Sequence, residues 1–226
     1  ESITALVFQQ ITLLTVVPPL LIAGSPGLLL LRSTPHTGLG RLVLRAAHGG
    51  LRSRFWSAAL HPVVAIVIAI LLYPVLYLTD AISVIMRIPF GQDALLFVIL
   101  VLGIVSATPL WSSDPLPRQP SFAARFVDIA VEIQIHAIFG LILLRTATPL
   151  FSAYATPTGS HDPVIDQATA GTLVWTYAEL PMFVVLIVCL SRWRARDVRT
   201  SRQRQKAEDA ELDSYNEYLA SLSRRR

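Results

Sequence analysis

The residues most able to do chemistry sit where a hydrocarbon environment makes them expensive. Asp128, Glu132 and His136 recur at every fourth position of an apolar stretch, with Gln134 between them. In an α-helix that spacing stacks the three ionisable groups along one face, which must turn to the interior of a bundle. Glu179, followed by Pro181 and Met182, lies in a second apolar stretch, and Gln9 and Gln10 lie in a third. Imidazole binds transition metals, and a neighbouring carboxylate can orient the ring or relay protons, so the combination reads as a metal or proton site. The other reading is that these groups satisfy one another and lock helix packing. Thiolate and thioether ligands, which copper(I) favours, are few: Met86, Met182 and Cys189. His61, near the start of a further apolar stretch, is a second metal candidate, whereas His36, His48 and His161 fall in polar connections and read as solvated.

These side chains need helices in a bilayer to position them. Only 34 of the 226 residues are charged, 53% are hydrophobic, and the mean hydropathy is +0.56. Sixteen of the 34 charges fall in residues 192–226, leaving 18 for the first 191, too few to cover the surface of a soluble domain. Five stretches, 3–22, 57–78, 94–111, 126–144 and 170–190, are long and apolar enough to cross. They predict an all-α, polytopic membrane bundle over 1–191, followed by a separate basic tail over 192–226. Pro18-Pro19 should bend or end the first span, and the run 27–31 beyond it is too short to cross. With a rise of about 1.5 Å per residue, His136, Glu179 and Gln10 come to similar depths near the midplane.

Arginine and lysine set the orientation. The connection between spans one and two holds Arg32, Arg41, Arg45, Arg52 and Arg54, the connection between three and four holds Arg118 and Arg125, and the tail holds ten. The other side has Arg87 and Arg145 alone. Seventeen against two places the tail and those two connections in the cytoplasm, and the N-terminus of this chain outside. The basic tail beside an apolar span points to membrane lipid headgroups and not to nucleic acid. Leu212, Tyr215, Leu219 and Leu222 recur in it at helical spacing, which predicts either an amphipathic helix on the membrane or a partner, or a solvated, frayed one. Asp166 should cap the start of span five. No Gly-rich phosphate loop, His-Glu-x-x-His, Cys-x-x-Cys or Gly-x-Ser-x-Gly occurs, so no enzyme activity is expected.

Four motifs in order carry a resemblance: Pro18-Pro19-Leu20-Leu21-Ile22-Ala23-Gly24 after Gln9-Gln10; His61-Pro62-Val63-Val64-Ala65; His136-Ala137-Ile138-Phe139-Gly140; and Asp166-Gln167 with Gly171, Trp175 and Glu179-Leu180-Pro181. The chain resembles the CtaG family of cytochrome c oxidase assembly factors. Residues 209–219 look like the tail of its actinobacterial branch, where the segment is often fused to a CopD-like copper-transport region. The resemblance implies a bacterial plasma-membrane protein that helps copper reach the oxidase, with His136 and His61 as the matching ligand positions; Asp128, Glu132, Glu179 and Gln10 form the intramembrane polar cluster already read from the spans. Two positions depart from it: Gln10 stands where many members have His, and Ala94 where many have the His of Glu-His-Leu-Leu-Phe. The departures raise a second reading, a metal-free accessory subunit of an oxidase or respiratory supercomplex; a third, resting on the polar face itself, is a copper or proton-coupled transporter using Asp128, Glu132, His136 and Glu179 as its pathway.

Overall fold

The computed structural model describes residues 2–111, 114–117, 120–155 and 162–223; His161 and Arg118 lie outside them. The chain is all-helical among these residues. Ser2 opens α1 (Ile3–Ile11), its hydroxyl accepting the Ala5 amide at 3.1 Å. The helix turns Ile3, Leu6, Val7, Gln10 and Ile11 inward, the 3-4-3-4 spacing of one buried face. The double proline does not end this element. Prolines 18 and 19 remove the amides that would have served the carbonyls of Leu14 and Thr15, and the chain widens into a π-turn (Thr12–Val16) and continues as α2 (Val17–Ala23). The break comes later, at Ser25, whose φ of 49° is left-handed, and α3 (Pro26–Ser33) follows.

The first connection is helical, contrary to its reading as a polar loop. It forms α4 (Gly38–Arg52) and α5 (Arg54–Ala59). Then come α6 (Pro62–Tyr77), α7 (Ala81–Met86), α8 (Gly91–Trp111) and α9 (Phe122–Arg145), the last opened by Ser121, which accepts the Ala124 amide at 3.1 Å. A 3₁₀ turn (Ser152–Tyr154), α10 (Pro163–Thr176) and α11 (Glu179–Ser223) complete the chain. Span five is thus not one uninterrupted helix. It breaks around Tyr177 and Ala178, just ahead of Pro181, which has no amide to give the preceding turn.

Among the described residues, four elements are long and apolar enough to cross a membrane: Ile3–Ser33, Gly91–Trp111, Phe122–Arg145 and Pro163–Glu217. The fifth expected crossing is represented by α6, 16 apolar residues. It rises about 24 Å, less than the roughly 30 Å of a bilayer core. It is short because His61 and Pro62 restart the helix: Pro62 takes the first helical position and the His61 ring caps it.

Helix α9 is the centre of the bundle, with α10 and α6 against it, while α1 packs on α10 and α2 on α8. The α9–α10 crossing depends on two glycines. A Cβ at Gly140 would lie 2.9 Å from the Gly171 carbonyl oxygen, and one at Gly171 would lie 2.6 Å from that of Gly140. Small residues let backbones in a membrane approach to this distance. Gly103 does the same for α8 against the π-turn, where a Cβ would meet the Leu14 carbonyl oxygen at 2.6 Å. Away from these contacts the helices expose Phe97, Val98, Val101, Phe183 and Val184, an apolar exterior suited to lipid.

The chain divides into two compact units, Glu1–Leu186 and Ile187–Arg226. The second is the remainder of α11, with every side chain from Ser191 to Arg199 exposed and Leu212 and Tyr215 exposed as well. The side chains of Leu219 and Leu222, the other half of the expected apolar stripe, lie outside the described residues.

Candidate functional site

Helix α9 carries its polar ladder into the interior: Asp128 is fully buried, and Glu132 and His136 nearly so. From α8, the Ser106 hydroxyl donates to Glu132 Oε1 at 3.0 Å. From α6, Tyr73 sets its ring edge-on to His136, with centroids 5.4 Å apart at 65°, and stacks on Phe139 at 5.6 Å. Tyr73, Ser106, Glu132 and His136, with Thr15, Trp111 and Met182, line a cavity of about 30 Å³ otherwise walled by aliphatic side chains, and Asp128 lies one turn of α9 before Glu132, outside that lining. That is room for about two water molecules.

The cavity is rich in polar atoms that protein does not satisfy. Tyr73 Oη, Trp111 Nε1 and His136 Nδ1 are buried with no hydrogen-bond partner among the described residues, and so are both carboxylate oxygens of Asp128, two turns from His136 on the same helix. A buried polar atom left unmatched costs about 1–3 kcal/mol. Several at one place mark a site that water or a ligand completes.

Other expected members of the cluster are placed differently. Gln10 is buried and its Oε1 accepts from Tyr77 Oη at 3.0 Å, beside a second void of about 10 Å³ that shares Leu14, Leu72 and Tyr73 with the first. Glu179 starts α11 and does not line the cavity; Met182, one turn on, does. His61 caps α6, its Nδ1 accepting the Val63 amide at 3.2 Å, about two turns from Ile68, where α6 first reaches the cavity. His61 and His136 therefore do not converge. No group of three or more His, Cys, Asp or Glu able to hold a metal forms among the described residues.

Sequence reasoning missed Tyr73, Tyr77, Ser106 and Trp111. Their signal was available: two tyrosines four apart inside an apolar span occupy one helical face, and each hydroxyl needs a partner there. The Asp166-Gln167 motif proves structural, and the expectation that Asp166 caps its own helix is corrected. Asp162 caps α10, accepting the Val164 amide at 2.8 Å. Asp166 instead accepts the amides of Ile3 (2.7 Å) and Thr4 (3.3 Å), closing the start of α1. Gln167 accepts the Leu150 amide at 2.7 Å and directs its Nε2 to the carbonyls of Leu143, Thr146 and Thr148 at the end of α9.

The cavity-bearing region coincides with a recognised family. A family model described as cytochrome c oxidase caa3 assembly factor (Caa3_CtaG) matches residues 1–196. The chain belongs to that family. Uncharacterized proteins of Mycobacterium bovis and Mycobacterium tuberculosis are each 28% identical over 228 residues, covering 96% of this chain and 34% of their own length. One from Mycobacterium leprae is 24% identical over 234 residues, covering 96% and 35%. The chain thus spans about a third of the length of these relatives. No solved structure matches it. In Caa3_CtaG terms, the family match contains the whole polar ladder, the cavity and the Gly140–Gly171 crossing, and stops within α11.

Proposed function

We propose that this Caa3_CtaG segment acts in the bacterial plasma membrane, without catalysing a reaction, in the biogenesis of a caa3-type cytochrome c oxidase. The family match over residues 1–196 carries this reading. The finer step is that copper(I) passes through the cavity as cargo. His136 Nδ1, buried and without a hydrogen-bond partner among the described residues, and the Met182 thioether in the same lining are the donors there, and a thioether with an imidazole suits copper(I) held briefly. The donor set is too small for a resident copper(II) centre, and His61 has no part in it.

The observations that favour the accessory-subunit reading are Gln10, whose carbonyl is engaged by Tyr77, and the lack of a three-ligand group among the described residues. One experiment separates the two readings. Oxidase is purified from cells carrying His136→Ala or Met182→Leu, and copper is measured against haem. Passage of copper(I) predicts a loss of copper from oxidase while the variant chain still accumulates in the membrane. Full copper content, with the chain retained stoichiometrically on the purified oxidase, supports the accessory subunit and ends the cargo reading.

For topology we propose five crossings, with α6 as the short second one, the N-terminus of this chain outside and the tail in the cytoplasm. The 17 to 2 distribution of Lys and Arg supports it. Membrane-impermeant labelling of single cysteines at Thr37 and Thr79 tests it: the two must label from opposite sides.

A further inference from the structure

Helix α4 joins neither hydrophobic cluster of the bundle. Its principal neighbours are α3 and α5, the elements next to it in the chain, and Leu44 is its single buried side chain. Leu39, Leu42, Val43 and Ala46 follow one another at spacings of three and four along one face, and the first three are 81%, 58% and 43% exposed. Arg41, Arg45, His48 and Arg52 occupy the opposite face. Phe55 and Trp56, both exposed, continue the apolar side into α5. No acidic residue occurs anywhere between Arg32 and Ala59.

Two further observations say what covers this face. Both ends of the unit are tied to apolar elements: four residues, 34–37, separate α4 from the membrane-length element Ile3–Ser33, and α5 ends shortly before α6. The five steps from Ser33 to Gly38 reach at most about 18 Å, so α4 stays near the level where the first crossing leaves the bilayer. The second is an open groove of about 620 Å³ beside the end of α3, lined by Leu31, His36, Arg41, Leu44, Arg45 and His48. Two guanidinium groups and the His36 imidazole around an apolar floor match a phosphate with an acyl chain attached, while the His48 ring is tied back to the Leu44 carbonyl at 2.7 Å. Arginine forks pair with phosphate oxygens, while the leucines suit the glycerol and first methylenes.

We propose that α4 is an interfacial helix that lies on the leaflet next to the first connection, and that the groove between α3 and α4 binds the headgroup phosphate of an anionic phospholipid through Arg41 and Arg45. The proposal rests on the membrane reading of Ile3–Ser33 and α6 and is independent of copper.

The test uses the full chain in nanodiscs of phosphatidylcholine alone or of an equimolar mixture with phosphatidylglycerol. Native mass spectrometry counts the lipids that stay bound on release. Phosphatidylglycerol is expected to be retained in preference to phosphatidylcholine, and R41Q/R45Q, at two exposed positions, is expected to weaken that preference roughly thirtyfold. A fluorophore on Leu42→Cys is expected to be quenched by lipids brominated along the acyl chain, and one on Arg52→Cys much less. Equal retention of the two lipids, no effect of R41Q/R45Q, or equal quenching at the two positions overturns the proposal. Displacement of phosphatidylglycerol by millimolar inorganic phosphate also overturns it, because the groove would then be a site for a small anion.

Discussion

One half of α9 is packed until its backbone touches the next helix, and the other half borders unfilled space. At Gly140 the neighbouring α10 leaves no room for a methyl group. One turn earlier, at His136 and Glu132, the same helix faces a cavity with unpaired polar atoms. The glycines give up side-chain burial to gain backbone contact, and the ladder accepts unmatched polar groups where apolar ones would pack. The difference separates what holds the bundle together from what the bundle holds.

Perturbing the tight half should have the largest effect. Gly171→Val forces a branched side chain into backbone and is expected to cost about 3 kcal/mol, read as loss of cooperative unfolding or a large drop in detergent melting temperature. Near-native stability would refute the glycine contact. Gln167→Ala, which uncaps the end of α9 without touching the crossing, should cost about 2 kcal/mol; faster hydrogen exchange at the Leu150 amide would locate the damage. On the loose half, Ser106→Ala deletes one hydrogen bond next to existing space and should cost only about 1 kcal/mol. A cost as large as that of Gly171→Val would abolish the contrast between the halves.

The smallest effect belongs to a contact outside both halves. Asp80, immediately before α7, accepts from Ser152 Oγ at 2.7 Å, and Ser83 Oγ lies 2.9 Å from that same hydroxyl. The Ser152 hydrogen bond first, and then Ser83, hold the Asp80 carboxyl below its ordinary value. The charged form is therefore the one the fold favours. The stabilisation is complete above the ordinary carboxylate range and fades as pH falls through the lowered folded-state value. Ser152→Ala should reduce this small acid sensitivity, leaving the part due to Ser83, and raise the Asp80 titration midpoint toward the ordinary range, measured by NMR of that carboxyl. An unchanged midpoint would show that the hydroxyl does not matter.

Much of the framework was legible because it depends on solvent. Long apolar stretches, the inward face of Asp128, Glu132 and His136, and the isolation of the charged C-terminal segment all follow from the cost of polar groups in lipid. What was not legible depends on partners far along the chain. Nothing near Asp166 says that its carboxylate serves Ile3 and Thr4, and nothing near Gln167 says that it closes α9. Pro18 and Pro19 announced an interruption, yet whether the helix stops or widens depends on α8 offering Gly103 at that level. Helix α4 was legible in principle from Leu39, Leu42, Val43 and Ala46, but its arginines drew attention to topology and away from periodicity. His61 and His136 are linked by residue type alone, and type does not bring two helices to the same depth.

The Asp166 contact also has a consequence in time. The amides of Ile3 and Thr4 find their acceptor 163 and 162 residues later in the chain. At about 5–20 residues per second, the ribosome needs roughly 8 to 30 s to make that stretch. Throughout that interval the first turn of α1 has no protein partner for those donors, and leaving them in hydrocarbon is costly. Helix α1 should therefore wait at the headgroup level and settle into the bundle only when α10 arrives, so that it is fixed after helices that follow it in the chain.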